Sequence, residues 1–229
     1  MLTTMLGLLW GLAQGMRHAL EPDHLAALST LVADRRSPRS AASYAVAWGV
    51  GHALVLLAFG GALLLVRGHV PDRVGACFEL LVAAMLIVLG VRGLRAAFVR
   101  PAGDGVEHAH TTVKHSHAGP HDHVHLQGLT LSRRPLVVGC VHGLAGSGAL
   151  AALVMPGMKS ALAGVVYMAV YGGGATLGMA MLAGLVGVPL ARLVRTPRGV
   201  PVLLGATGAL SVIFGVVWGY SAAGGALLQ

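Results

Sequence analysis

Charge is scarce in this sequence. Asp, Glu, Lys and Arg make up only 10% of its 229 residues, against about 25% in an ordinary soluble domain. Acidic side chains are the scarcer kind, eight against sixteen basic ones. With 55% hydrophobic residues and a mean hydropathy of +0.76, the chain cannot cover a globule with polar groups. That excludes an ordinary soluble domain and leaves a polytopic membrane protein. Cysteine is nearly absent too. Cys77 and Cys140 form no CxxC pair and no disulfide framework, so both are expected as small buried core residues. Aromatics are few, and the net charge of +8 comes without a basic patch interleaved with them. A nucleic-acid partner is therefore not expected. The first 31 residues have no basic leader and do not read as a cleaved signal peptide.

What is present is glycine, 34 residues of it, and long apolar runs. Small residues let membrane helices pack closely. A spanning helix needs about 20 mostly apolar residues, and six stretches qualify: 2–32, 41–66, 74–99, 135–156, 160–190 and 199–222. The expected fold is all-α, with six transmembrane helices and the first of them kinked or broken at Pro22. Basic residues orient it. Loops after the first, third and fifth helices hold Arg35, Arg36, Arg39, Arg92, Arg95, Arg100, Lys114, Arg133, Arg134, Arg192, Arg195 and Arg198. The opposite side holds only Arg67, Arg73 and Lys159. The positive-inside rule then puts both termini outside and the long loop in the cytoplasm.

A faint internal repeat divides the chain. His18-Ala-Leu followed by Leu25-Ala-Ala-Leu28 echoes His142-Gly-Leu followed by Leu150-Ala-Ala-Leu153. Trp48-Gly-Val-Gly51 echoes Tyr171-Gly-Gly-Gly174, and Met85–Gly90 echoes Leu210–Gly215. Three helices per half is an odd number, so the halves would be inverted relative to each other, an architecture found in many secondary transporters. The expected division is 1–99 as the first three-helix repeat, 100–134 as a disordered histidine-rich cytoplasmic loop, and 135–229 as the second repeat.

Ionisable residues inside an apolar span are costly and mark function. The first run holds Arg17-His18-Ala19-Leu20-Glu21-Pro22-Asp23-His24. At about 100° per residue a regular helix would scatter His18, Asp23 and His24 over different faces. Pro22 removes a backbone donor and clashes with the preceding turn, so the helix must kink or unwind there. Two imidazoles and a carboxylate within seven residues, beside freed carbonyls, suit a first-row transition metal. Three other readings compete. Arg17 and Glu21 at i, i+4 would simply neutralise each other. Arg17 could snorkel to an interface. His18-x4-Asp23 also matches the HxxxxD pattern of glycerolipid acyltransferases, which leaves His24 unexplained. His52 in the second helix and His142 in the fourth are further candidate ligands, His142 and Glu21 ranking below His18, Asp23, His24 and His52. Glu79 is an open choice between a proton site and an interfacial carboxylate. Ser147, flanked by glycines, fits close helix packing better than a nucleophile, since neither GxSxG nor HExxH occurs.

The RHALEPDH stretch resembles the HX4DH signature of the nickel/cobalt transporter superfamily, and Gly51-His52 resembles that family's Gly-His element in the following helix. His142-Gly-Leu-Ala-Gly-Ser-Gly is similar to the branch of small permeases associated with urease maturation. The resemblance implies transport of Ni²⁺ and of Co²⁺, with His18, Asp23, His24 and His52 at the metal site.

Between the halves stand His108, His110, His115, His117, His121, His123 and His125, mostly as HxH. Neutral imidazoles at this density bind divalent metals, so the loop is expected to be an auxiliary metal-binding segment. The expected protein is thus a bacterial inner-membrane transporter and not an enzyme, with uptake favoured over efflux. The alternatives are an efflux permease, an intramembrane metal-dependent enzyme or an HxxxxD-type acyltransferase. No resident cofactor is expected. The partners implied are the metal ion as substrate, membrane lipid and a cytoplasmic metallochaperone. With no GxxxxGKS/T loop, energy must come from a gradient, the membrane potential or a separate ATPase.

Overall fold

A computed structural model describes residues 2–33, 37–66, 70–99, 106–110, 113–117, 123–126, 129–154, 160–193 and 199–227. Among the described residues, eight helices carry the fold: α1 Leu2–His18, α2 Pro22–Val32, α3 Pro38–Val55, α4 Gly61–Val66, α5 Asp72–Val99, α6 Arg133–Val154, α7 Ala161–Leu193 and α8 Gly199–Leu227. Residues Leu56–Gly60 form a π-helical turn that joins α3 to α4 without interrupting the rod. Among the described residues, four helices are long and apolar enough to cross a membrane: Pro38–Val66, Asp72–Phe98, Ala161–Leu185 and Gly199–Gly224.

The punctuation follows the sequence. Pro22 opens α2 at its first turn, where its missing N–H is no loss, and Glu21 before it is extended (φ −63°, ψ 145°). The chain between α1 and α2 is one tight turn, with Leu20 N donating to Arg17 O at 2.9 Å and Glu21 N to His18 O at 3.0 Å. The expected break in the first helix is therefore a real one. Ser37 caps α3 by accepting from Ser40 N at 3.2 Å, and Ser160 caps α7 by accepting from Ala163 N at 3.2 Å.

The core is small and apolar, built on Ala26, Ala27, Trp48, Leu86, Ala175 and Met179. Leu65, Phe98, Leu162, Leu185 and Ile213 point outward, as helices facing hydrocarbon should. Cys77 is also exposed and Cys140 is half-buried, which corrects the expectation of two buried thiols. A thiol is apolar enough for a lipid-facing position on α5, so its residue type did not decide its side.

The helices pack in reciprocal fashion. α5 runs against α8 and α3 against α7, while α1 lies on α7 as α6 lies on α3. Two glycines explain the last pair. A Cβ on Gly15 of α1 would meet Tyr171 O and come within 2.9 Å of Ala175 N on α7. A Cβ on Gly139 of α6 would meet Trp48 O and come within 2.9 Å of His52 N on α3. Only glycine permits either crossing as it stands, and the two glycines are 124 positions apart in the sequence. Polar contacts tie α2 to α8, where Thr30 Oγ1 lies 3.2 Å from both Thr207 O and Ser211 Oγ.

Between α5 and α6 the described residues are 106–110, 113–117, 123–126 and 129–132. Two antiparallel hairpins occur, β1 Val106–His110 with β2 Val113–His117, and β3 His123–Leu126 with β4 Leu129–Ser132. The HxH spacing is a period of two, which suits a strand. His108 stands opposite His115, His123 opposite Ser132 and His125 opposite Thr130. His121 lies outside the described residues.

Candidate metal centre

The break after α1 decides the site. In an unbroken helix, His18 and His24 would stand about 9 Å apart along the axis. With the turn at Ala19–Glu21, their ring centroids are 4.3 Å apart. α3 brings His52 to 5.4 Å from His18 and 5.3 Å from His24, and α6 brings His142 to 4.2 Å from His24. His24, His52 and His142 are 1%, 0% and 3% exposed, and Asp23 beside them 6%. His18 is half-buried at the margin, and Glu21 is exposed there.

Two groups of ligand atoms result, each within 4.8 Å: His18, His24 and His52, and Asp23, His24 and His142. The carboxylates do not simply add to the donor set, because each already holds imidazoles. Asp23 Oδ1 lies 3.1 Å from His24 Nδ1 and accepts from its backbone N at 2.9 Å. Asp23 Oδ2 lies 2.8 Å from His142 Nε2. Glu21 Oε2 lies 2.9 Å from His18 Nδ1. A carboxylate only accepts, so these contacts assign the ring protons to His18 Nδ1, His24 Nδ1 and His142 Nε2. The opposite nitrogens, His18 Nε2, His24 Nε2 and His142 Nδ1, are then lone pairs. All three are buried and without a hydrogen-bond partner, as are both ring nitrogens of His52. Buried polar atoms are normally paired. A cluster of lone pairs left bare in an apolar interior is what a cation site requires. Carboxylates on the far nitrogens of metal-binding imidazoles fix tautomer and ring angle.

The walls are aromatic. Trp48 is fully buried, with its ring 5.5 Å from His24 and 5.6 Å from His142, and the Tyr171 ring is 5.5 Å from His18. Sequence reasoning quoted both residues for the repeat but gave neither a place in the site. Their signal was available, since each lies in the glycine-rich motif of its helix. Of the expected ligands, His18, Asp23, His24, His52, Glu21 and His142 all meet here. Arg17 does not neutralise Glu21: Arg17 donates to Gln14 Oε1 at 3.3 Å, and Glu21 faces His18. Glu79 is exposed on α5, away from these groups. The Ser147 side chain lies outside the described residues.

Fold and site together define a helical membrane protein with a buried histidine–carboxylate centre. Over 92% of its length the chain is 30% identical to "Urease accessory protein UreH" of Bacillus sp. (strain TB-90), covering 89% of that protein. It belongs to the UreH family, the urease-accessory branch its motifs resemble. No family model matches the chain, and no solved structure matches it.

Proposed function

We propose that the protein is a permease carrying a divalent first-row transition-metal ion across a bacterial inner membrane, Ni²⁺ foremost and Co²⁺ second, with uptake favoured over efflux. The carrying observation is the convergence of His18, His24 and His52, with buried, unpartnered ring nitrogens inside an apolar bundle. Imidazole donors suit Ni²⁺. Two nearby carboxylates, Asp23 and Glu21, match the double charge of the ion, so a loaded centre is close to neutral in a medium that penalises net charge. Family membership agrees, since the relative is named for urease accessory work.

In this reading the ion sheds most of its water at the α1–α2 break and is held by His18, His24 and His52, with Asp23 as a ligand or through its hold on His24. Six spans carry it: α1 with α2, α3 through α4, α5, α6, α7 and α8. Residues 1–99 and 135–229 are two inverted halves, supported by the matched glycine crossings of α1 on α7 and α6 on α3. The halves rock about the centre to expose it to each side. Both termini face outward. The loop of 100–134 is cytoplasmic, where its histidines hand metal to a metallochaperone. Driving energy comes from a gradient or the membrane potential.

The test is ⁶³Ni²⁺ flux into proteoliposomes of known orientation, with wild type beside His24→Ala and with Co²⁺ and Zn²⁺ as competitors. Flux that is lost in the variant, at unchanged membrane insertion, is the expected result. Equal flux in both proteins would remove the centre from the transport path. Flux only in the outward sense would reverse the direction assigned here.

A further inference from the structure

His24 belongs to both groups of ligand atoms, and the two rings that flank it are not an arbitrary pair. His18 and His142 occupy matching positions of the repeat, 124 residues apart, each followed by a small residue and Leu. Their ring centroids lie 4.3 Å and 4.2 Å from that of His24. We propose that the centre is two cation stations in series, His18–His24–His52 and Asp23–His24–His142, and that a divalent metal ion passes between them by changing its hold on His24. The proposal rests on the transport reading above and deepens it.

Three observations carry it. First, each station is a complete donor set by composition: three imidazoles in one, two imidazoles and a carboxylate in the other, with all ligand atoms of each within 4.8 Å. Both sets suit first-row divalent ions. Second, the two nitrogens of His24 are differently engaged, which leaves one for each station. Nδ1 faces Asp23 at 3.1 Å, and Nε2 is buried without a partner. A neutral imidazole offers one lone pair, so His24 serves one station at a time. Occupancy of one therefore excludes the other, and advance of the ion needs the ring proton of His24 to move from Nδ1 to Nε2 while His142 offers its bare Nδ1, with no net proton gained or lost by either ring. Third, the stations differ in access. His18 and Glu21 lie at the margin of the pocket, while His24, Asp23 and His142 are buried behind them with Trp48 over the rings. The first station receives the ion from one side, and the second holds it where the protein is closed. In inverted halves, the repeat mate of an entrance ligand is an exit ligand.

The roles of His142 as cation ligand and as a mere donor to Asp23 separate in one substitution. His142→Gln keeps an N–H at the end of the side chain for Asp23 Oδ2 and removes the imidazole. In the full-length protein in lipid nanodiscs, with Ni²⁺ as the probe, His142→Gln is expected to bind the ion at the first station. Its proteoliposome flux is expected to fall at least about tenfold, the scale of lost metal-site interactions. Every protein compared, wild type included, carries His108, His110, His115, His117, His121, His123 and His125 changed to Ala, so that retained Ni²⁺ binding reports the centre and shows that the variant is folded. The complementary variant, His18→Ala with His52→Ala, is expected to bind Ni²⁺ more weakly through the second station alone, and to lose that binding when His142→Gln is added. Wild-type flux in His142→Gln, or no Ni²⁺ binding in the double variant while wild type binds, overturns the second station and leaves the transport reading intact. Wild type that neither binds nor moves Ni²⁺ overturns the transport reading itself.

Discussion

Asp23 ties two of the histidines together, because both its oxygens are engaged by rings. Oδ1 faces His24 and Oδ2 faces His142, and the residue is almost fully buried. Asp23→Asn keeps the shape and replaces one acceptor with a donor, so one of the two rings must turn or lose its partner. Ni²⁺ affinity is expected to fall about 10–100-fold, the usual cost of losing an outer partner of a metal-binding His. Isothermal titration of the purified protein checks it, and an unchanged affinity would mean that the carboxylate does not orient the rings. Glu21 stands in the same relation to His18 but is exposed, with a side chain 53% accessible. Water can take its place on His18 Nδ1, so Glu21→Gln is expected to cost clearly less than Asp23→Asn in the same titration. A larger loss for Glu21→Gln would make Glu21 a ligand rather than a partner of His18.

At the scale of the element, the α1–α2 break is what turns a scattered set of side chains into a centre. Pro22 sits at the first turn of α2, and the residue before a proline is held out of helical geometry. Pro22→Ala removes that restriction and lets the helix run through Glu21, which would carry His24 about 9 Å along the axis from His18. The expected outcome is Ni²⁺ binding lost or weakened at least tenfold while circular dichroism shows helix content equal or higher. Wild-type binding with unchanged helicity would show that packing by α3 and α6, not Pro22, imposes the turn. This element was legible in the sequence, because a proline among ionisable residues in an apolar run has few other meanings. The pairing of Asp23 with His142 was not. Those residues are 119 positions apart, and no local periodicity reports which side of α6 meets α2. The π-helical turn at Leu56–Gly60 was equally hidden, for its residues read as ordinary apolar helix. The same blindness explains Cys77, since a thiol's residue type does not say whether its helix face meets protein or lipid.

For the molecule as a whole, the repeat and the charge distribution make separate claims. The proposed repeat is visible in the sequence only as weak matches among apolar residues, and Gly15 and Gly139, 124 positions apart, each sit at a close helix crossing. Gly139→Ala presses a methyl onto Trp48 O, in backbone that a rotamer change cannot relieve. A loss of about 1–3 kcal/mol in stability is expected, the range for overpacking. Thermal unfolding in detergent should show it beside Gly7→Ala, where a Cβ meets nothing within 4 Å. Equal midpoints would show that α6 and α3 can separate without cost. The charge distribution addresses orientation, which contacts within one chain do not fix. With twelve basic residues in or beside the connections on one side and three on the other, the positive-inside rule predicts that the loop of 100–134 faces the cytoplasm and the connection before α7 faces outward. Two single-cysteine proteins, made after replacing Cys77 and Cys140 by Ala, decide it: Ser160→Cys at the start of α7 and Ser116→Cys in the histidine loop. A membrane-impermeant maleimide applied to intact spheroplasts is expected to label the first and to reach the second only after permeabilisation. The opposite pattern would put the histidines outside. They would then gather metal before the membrane rather than receive it afterwards, and the order of the two stations along the path would reverse with them.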